Sequence, residues 1–123
     1  MAKTVEHITR AVSVQRIVVS VSSIDRALEF YRGALGLALK DRAGELAWLE
    51  TGDGVEVMLH ERQASPSDTA VAIGFSTVAL ENAVERCVGA GGVIVDPIQT
   101  RPWGERMAVI RDVDGHIVCV SER

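Results

Sequence analysis

The residues that could do chemistry are few, and they form no recognised catalytic motif. Three histidines and two cysteines are scattered through 123 residues. The chain contains no nucleophile elbow, no glycine-rich phosphate loop and no Cys-x-x-Cys pair. Glu81 and Glu85 lie one helical turn apart on a face predicted to be solvated, so they do not indicate an acid–base pair. The sequence therefore predicts no catalytic residue.

Two short apolar runs, 56–60 and 117–121, carry the polar and sulfur-bearing side chains best placed to line a binding site. Both are strand candidates, and in a strand alternate residues share one face. The predicted inward sets are Glu56, Met58 and His60 in the first run, and Ile117, Cys119 and Ser121 in the second. His60 is either a pocket residue or a partly solvated histidine at a strand end, and the second interpretation is favoured.

The other two histidines are given structural or surface positions. His116 is three residues from Cys119, so it should face the opposite way, and it directly follows an Asp-Gly pair. We therefore assign His116 to a turn. His7 lies in an N-terminal stretch without an assigned element and is interpreted as a surface residue.

Trp48 and Trp103 are the only tryptophans in a chain that is 4% aromatic. Trp103 lies in a predicted loop, 99–105, where it either stacks on a ligand or packs on a second subunit. Trp48 lies within a strand candidate. The face that Trp48 occupies depends on the register of a hairpin at Gly52-Asp53-Gly54, which the sequence leaves open by one residue.

These side chains are positioned by a unit that occurs twice. Arg16–Val21 is a strand candidate, and a helix capped by Ser22 or Ser23 follows. Residues 72–93 repeat this unit at a constant offset of 56, and residues 106–120 repeat 45–59 at an offset of 61. Asp53-Gly54 then aligns with Asp114-Gly115, a strong hairpin signal. The sequence predicts an α+β fold of two tandem βαβββ modules, with a curved mixed sheet and the helices outside.

The predicted organisation is a short extension followed by one domain. Residues 1–13 have no counterpart in the repeat and are either frayed or packed against a partner subunit. Residues 14–123 form the domain, with modules at 14–62 and 69–122. Within them, 40–44 is predicted as a polar turn, and 93–98 as a strand ending near Pro97.

Composition argues against nucleic acid as a partner and against membrane insertion or export. The net charge of −4 disfavours nucleic acid, which would require a basic face. No run reaches the roughly 18 apolar residues that a membrane helix needs. The charged N-terminal segment does not indicate a signal peptide, and two cysteines without motif spacing suit a reducing cytoplasm.

Two segments carry a resemblance to a known family. The helix end FYRGALGL and the late segment WGERMAVIRDVDGHIVCVSE, with the paired βαβββ modules, resemble the vicinal oxygen chelate superfamily. That superfamily includes glyoxalase I, extradiol dioxygenases, fosfomycin-resistance enzymes and bleomycin-resistance proteins. The resemblance covers residues 14–122 and implies that each module curls into a half-barrel, with a ligand in the cup that two modules form.

The resemblance also implies where a metal would sit. Family enzymes bind a divalent ion through the first and last strands of each module, positions that correspond here to Arg16, Met58, Ala72 and Cys119. These residues lack the three or four N, O or thiolate donors that such an ion requires. We therefore expect neither a metal nor a cofactor. The predicted ligand-binding residues are Arg16, Trp48, Glu56, Met58, His60, Ala72, Trp103 and Cys119.

The Arg-Pro-Trp-Gly-x-Arg string (101–106) is similar to the loop of the metal-free, antibiotic-binding branch. That similarity implies a protein that sequesters a small molecule without transforming it. Ligands of that branch are often cationic, which Arg16 would oppose and Glu56 would favour only slightly, so an anionic or neutral aromatic ligand is at least as plausible. The alternatives are a superfamily lyase, isomerase or dioxygenase with an atypical metal site, and a regulatory or structural domain with a vestigial cup.

A homodimer is the expected assembly. The first strand of each module is apolar nearly throughout, at 17–21 and 73–75, which predicts coverage on both faces. A two-fold symmetric dimer would cover such strands in a closed assembly of two chains. Either the cup closes within one chain, or the halves exchange between two chains.

Overall fold

The computed structural model describes residues 12–68 and 70–123. The first half contains β1 (Arg16–Val21), α1 (Ile24–Leu28) continued by a π-helical turn (Glu29–Ala34), β2 (Ala38–Ala43), β3 (Leu46–Glu50) and β4 (Glu56–Glu61). The second half contains β5 (Ile73–Thr77), α2 (Leu80–Gly89), β6 (Val93–Thr100), β7 (Arg106–Arg111) and β8 (Ile117–Glu122). The predicted βαβββ order is confirmed in both halves.

Each module builds its own four-stranded mixed sheet. The strand orders are β1-β4-β3-β2 and β5-β8-β7-β6. In each sheet the first and last strands pair in parallel, and the other neighbours are antiparallel. The α+β fold of two tandem modules is therefore as predicted. β1 and β5 each hydrogen-bond to one neighbouring strand within the described residues.

The repeat extends to individual hydrogen bonds in the two Asp-Gly hairpins. In residues 51–55 the Thr51 N–H donates to the Val55 carbonyl at 2.9 Å, and the Gly54 N–H donates to the Thr51 carbonyl at 3.1 Å. Asp112, Gly115 and His116 make the same two bonds at 2.8 and 3.0 Å. Gly54 and Gly115 have φ values of 90° and 86°, which a side chain would strain. Residues of these two hairpins that are 61 positions apart in the sequence are therefore structurally equivalent.

One hydrophobic core joins the two modules through their helices. It includes fully buried side chains from both sheets and both helices, among them Ile24, Phe30, Leu59, Leu80 and Val120. At Gly92 a Cβ would lie 2.9 Å from the Phe30 ring of the other module, so the absence of a side chain permits the close approach. The Arg86 Nε–H also donates to the Ala34 carbonyl at 3.1 Å.

A buried polar contact also links the modules. Tyr31, fully buried in the π-helical turn, donates its hydroxyl proton to Asp112 Oδ2 at 2.5 Å. The other oxygen of Asp112 accepts from the N–H groups of Asp114 and His116 at 2.9 and 2.8 Å. Burial, followed by the charge of Asp112, raises the pKa of Tyr31 well above its usual value. Asp112 therefore organises its own hairpin and anchors it to the first helix.

Three sequence-based boundaries differ from the structure. The prediction of a polar turn at 40–44 is wrong, because Lys40 to Ala43 belong to β2. β2 is an edge strand, and charged residues are common on such strands because they oppose edge-to-edge aggregation. β6 does not end near Pro97 but continues to Thr100, which shortens the predicted 99–105 loop to 101–105. Proline is tolerated there because β6 is also an edge strand, with irregular register around 94–99.

Other local predictions have mixed outcomes. Ser23 caps α1 and accepts from the Arg26 N–H at 3.3 Å, one of the two alternatives. The predictions for His7 and for most of the 1–13 extension lie outside the described residues. No helix in the described ranges is long and apolar enough to cross a membrane.

Candidate functional site

The sheet face that points away from the helices forms the first wall of the candidate cup. Along β3 and β4, every second side chain is fully buried toward the helices: Ala47, Leu49, Val57 and Leu59. The side chains between them point the other way and are partly exposed. They are Leu46, Trp48, Glu50, Glu56, Met58 and His60.

An apolar row crosses the middle of this wall. Met58 pairs with Val18 of β1 on one side and with Trp48 of β3 on the other. Directly paired residues of neighbouring strands share a face, so the register that the sequence left open places Trp48 beside Met58. Val18 is 46% exposed. The row thus presents valine, thioether and indole surfaces to whatever enters the cup.

Arg16 and Glu56 form an ion pair at one end of the wall. They are paired residues of β1 and β4, and the Arg16 Nε–H donates to Glu56 Oε2 at 2.5 Å. Their side chains are 38% and 24% exposed, so the pair contributes at most about 1 kcal/mol to stability. Its main consequence is electrostatic. The two charges that were expected to act oppositely on a ligand neutralise each other.

His60 lies near the other end of the same wall. It pairs with Ser20 and Leu46, and its Nε2 is 3.9 Å from Glu45 Oε2, too far for a hydrogen bond. The ring is 30% exposed. This environment is that of a partly solvated histidine at a strand end, on the cup side of β4.

His116 lies in the turn to which the sequence assigned it. Its Nε2 is 2.7 Å from the Ser20 carbonyl of the other module, so the ring donates to β1. The Ser22 hydroxyl donates to Asp114 of the same turn at 2.6 Å. His116 therefore holds the two modules together.

The second wall belongs to β5, β7 and β8. Cys119 pairs with Gly74 and with Val109, and the residues on either side of it, Val118 and Val120, are buried toward the helices. Burial is the main cause that raises the pKa of Cys119, and the charge of Glu105 adds to it, while the charge of Arg101 opposes it. At neutral pH Cys119 is thus a protonated thiol, which is a poor nucleophile.

Ala72 and Trp103 are the remaining predicted site residues. Ala72 directly precedes β5 and is exposed. Trp103 is 70% exposed in the β6–β7 turn, and its Nε1–H donates to Glu105 Oε1 at 3.2 Å. The indole face is therefore uncovered in the single chain and available to a ligand or to a second subunit.

Arg101 is a further cup residue that the sequence analysis did not select. Its side chain is only 16% exposed, and its positive charge acts to lower the pKa of Cys119. Strand alternation could have identified it from the sequence. Gln99 of β6 pairs with Met107 of β7, and Arg101, two residues after Gln99, would continue on the same face. The early end assigned to β6 concealed this pattern.

Two cavities are each lined by residues of both β1 and β5. A cavity of about 670 Å³ lies on the helix side, beside Ile17, Phe75 and Arg86. A second, of about 340 Å³, lies next to the inter-module linker, beside Ser67 and Ile117. Of the eight predicted site residues, only Ala72 lines either cavity. The others lie outside both cavities: Trp103 is in the β6–β7 turn, and the remaining six are on the cup walls.

The cup residues do not fit a divalent metal. Among 12–68 and 70–123, no three His, Cys, Asp or Glu side chains come together to form a metal site. Of the positions implied by the resemblance, Arg16 only donates hydrogen bonds and is already paired, Ala72 has no ligating side-chain atom, Met58 is a soft thioether, and Cys119 supplies a single thiol. This donor set does not match that of a zinc, nickel, manganese or iron centre.

Comparison with known proteins identifies a family. The family model described as Glyoxalase/Bleomycin resistance protein/Dioxygenase superfamily matches residues 13–120. Among solved structures, a glyoxalase-related enzyme from Fulvimarina pelagi is similar, with a TM-score of 0.78 and 21% identity, over 90% of this chain and 88% of that chain.

Two further solved structures are similar over nearly their full lengths. TioX from Micromonospora sp. ML1 is 25% identical with a TM-score of 0.70, over 89% of this chain and 98% of that chain. A protein of unknown function from Agrobacterium tumefaciens str. C58 is 22% identical with a TM-score of 0.74, over 95% and 98%. The matches below 25% identity show a shared fold.

Proposed function

The chain belongs to the Glyoxalase/Bleomycin resistance protein/Dioxygenase superfamily, and we propose that it acts there as a metal-independent protein that binds or sequesters a small molecule. One observation carries the proposal: the chemistry of the cup walls. Arg16 is paired with Glu56, Cys119 supplies a single thiol, and neither Met58 nor Ala72 supplies a hard ligand. The walls are suited to contact a ligand and poorly suited to activate one through a metal.

Apolar contact would supply most of the binding energy. The row of Val18, Met58 and Trp48 offers a surface for a flat, partly aromatic molecule. Trp103 would cover such a molecule from the β6–β7 turn, since its side chain is 70% exposed. The cup is therefore proposed to select aromatic ligands. Polar groups of the ligand would lie near the two ends of the first wall, beside the Arg16–Glu56 pair or His60.

The proposed assembly is a homodimer. In the single chain the cup walls are partly exposed, and apolar side chains such as Val93 and Trp103 are 59% and 70% exposed. A second copy would cover such surfaces, and a specific interface buries at least about 1,000 Å². Light scattering at micromolar concentration should give about 26 kDa, twice the chain mass of 13.2 kDa. A stable species of single-chain mass would contradict the dimer and place the cup within one chain.

We also propose a reducing compartment, the cytoplasm. Cys87 is buried in the core and Cys119 lies on the cup wall, and both are free thiols. A protein that keeps its thiols unpaired is consistent with a reducing environment.

A thermal-shift screen of a small-molecule library in buffer with EDTA tests the function. A ligand that binds only the folded state raises Tm by mass action, so we expect at least one aromatic compound to stabilise the protein with chelator present. Stabilisation that requires an added divalent ion would favour the superfamily enzyme with an atypical metal site. A library without any stabilising compound would favour the regulatory or structural domain.

Two valines provide a matched pair of variants for that screen. Val18 on the cup wall and Val88 on α2 are similarly exposed, at 46% and 44%. Val18→Arg should abolish the thermal shift, because the new side chain occupies the cup. Val88→Arg should leave the shift unchanged. Equal effects of the two substitutions would contradict placement of the ligand on this wall.

A further inference from the structure

The larger of the two cavities is a concave site that the cup does not use. Its volume of about 670 Å³ lies within the roughly 300–1,000 Å³ that is usual for small-molecule sites. Its lining comes from both modules, and Gly36, Asp53 and Ser76 in that lining are exposed, so solvent reaches the cavity. None of the eight predicted cup residues lines it, and a molecule bound there would be separate from one in the cup.

Aliphatic side chains form most of the floor of this cavity. Ile17, Leu35 and Ile73 line it and pack against the hydrophobic core while remaining partly exposed. Among the described residues of the lining, Phe75 is the only aromatic one. Covering such apolar surface removes it from water, which is favourable. The floor therefore favours an aliphatic chain over an aromatic ring.

Two exposed arginines, Arg86 of α2 and Arg123, also line the cavity. Arg86 donates through Nε to the Ala34 carbonyl at 3.1 Å, and Arg123 donates through Nη2 to the Ser76 carbonyl at 3.2 Å. A guanidinium has further N–H donors, so these bonds orient each group and leave donors for a ligand. In the described part of the chain, neither arginine forms a salt bridge with another residue.

Asp53 is the one carboxylate among the described lining residues. Its Oδ1 accepts from the Thr51 hydroxyl at 2.6 Å, and this bond is the main cause that lowers the pKa of Asp53, to which the charge of Arg123 adds. Asp53 is therefore ionised at neutral pH and already has a donor. Two arginines and one aspartate leave the lining with one net positive charge, in a chain whose net charge is −4. The local charge favours a ligand with a single negative charge.

We propose that this cavity is a second binding site, separate from the cup, for an aliphatic monocarboxylate such as a medium-chain fatty acid. The chain of that molecule would cover Ile17, Leu35 and Ile73. Its carboxylate would accept hydrogen bonds from Arg86 or Arg123, because a guanidinium presents a planar set of donors that matches a carboxylate and bonds between charged partners are the stronger ones. Since the lining comes from both modules, the bound chain would bridge them.

Three eight-carbon probes that differ in their head groups test this assignment. We would titrate the full-length protein with octanoate, 1-octanol and octylamine by calorimetry. Octanoate should bind roughly 10-fold more tightly than 1-octanol, as expected for hydrogen bonds to a charged group, and octylamine should bind most weakly. Equal affinities for octanoate and 1-octanol would overturn the inference. Tighter binding of octylamine would also overturn it, as would failure of octanoate to bind.

Substitution of the arginines tests which groups hold the carboxylate. Arg123→Gln should reduce the preference for octanoate over 1-octanol, and the double variant with Arg86→Gln should remove it. Arg42→Gln is the matched control, because Arg42 is an exposed arginine that pairs with Asp25 and does not line the cavity. A preference that survives in the double variant would contradict the role given to the two guanidinium groups.

A second pair of variants tests the location. Val55 lines the cavity, so Val55→Glu places a carboxylate there and should abolish octanoate binding. Val88→Glu introduces the same charge on α2 outside the cavity and should leave binding unchanged. Because Val55→Glu and Arg123→Gln alter different elements, a folding defect in one leaves the other to decide.

Loss of octanoate binding in Val18→Arg would place the molecule in the cup and overturn the second site. The library screen, with its own variants, decides separately whether the cup binds a ligand.

Discussion

The buried hydroxyl of Tyr31 offers a sharp test of how the two modules are held together. Its proton is donated to Asp112 Oδ2 at 2.5 Å, and both residues are buried. Tyr31→Phe removes this bond and leaves that carboxylate oxygen without its donor, while the ring packing against Phe30, with centroids 5.0 Å apart, can remain. Loss of a hydrogen bond to a charged group costs about 1.5–3 kcal/mol.

Urea unfolding followed by circular dichroism measures that cost. With an m-value of about 2 kcal/mol per molar, the transition midpoint should fall by roughly 1 M while the slope stays unchanged. Thr51→Val is a useful comparison, because Thr51 occupies the equivalent position in the first hairpin and its hydroxyl bonds to Asp53 and Val55 of its own turn. A free energy of unfolding for Tyr31→Phe within about 0.5 kcal/mol of the parent would refute the view that this contact links the modules.

Three further predictions follow from the packing, the buried thiol and the tryptophans. Gly92→Ala should destabilise the fold by about 1–3 kcal/mol, because its Cβ would lie 2.8 Å from the Cys87 carbonyl oxygen. Gly52→Ala is the control: among residues 12–68 and 70–123 no atom would lie within 4 Å of its Cβ, so the unfolding free energy should change by under about 0.5 kcal/mol. Similar losses in the two variants would contradict the packing argument. Burial raises the pKa of Cys87 from 9.0 to about 11, so the folded state holds this proton more tightly than the unfolded state does. The contribution of Cys87 to stability should therefore be full below pH 9 and fall as pH rises toward 11. In alkaline unfolding curves of Cys87→Ala this decline should be shallower, and an unchanged slope would contradict the assignment. Trp103→Ala should weaken binding of the compound that the screen selects more than Trp48→Ala does, as measured by calorimetry, and a reversed order would contradict the role given to the β6–β7 turn.

The repeat made most of the fold predictable from the sequence. Offsets of 56 and 61 aligned strands, helices and Asp-Gly turns, and the equivalent backbone bonds at Thr51 and Asp112 show why the alignment held. The edges of the sheets were less predictable. Lys40 to Arg42 are polar because β2 lies at a sheet edge, and an edge strand with charged residues resembles a turn in sequence.

The candidate site was only partly accessible from the sequence, because it depends on cross-strand register. Alternation alone placed Met58 and Cys119 on faces directed away from the helices. The face of Trp48 required its pairing with Met58, and the neutralisation of Arg16 required its pairing with Glu56. Arg101 was missed because its burial depends on a strand that continues past Pro97, which local propensity disfavours. Contacts between modules, such as Tyr31 with Asp112, leave no local pattern in the sequence.

The central claim is that this cup binds its ligand without a metal, and one titration tests it most directly. The compound that stabilises the protein best in the screen would be titrated by calorimetry into protein treated with EDTA, and into the same protein after addition of zinc, nickel, manganese or iron. We predict the same Kd in every condition, since the cup presents a paired arginine, a thioether, an alanine and a single thiol where a metal would need three or four ligands. Binding that is lost with EDTA and restored by one of these ions would contradict the account.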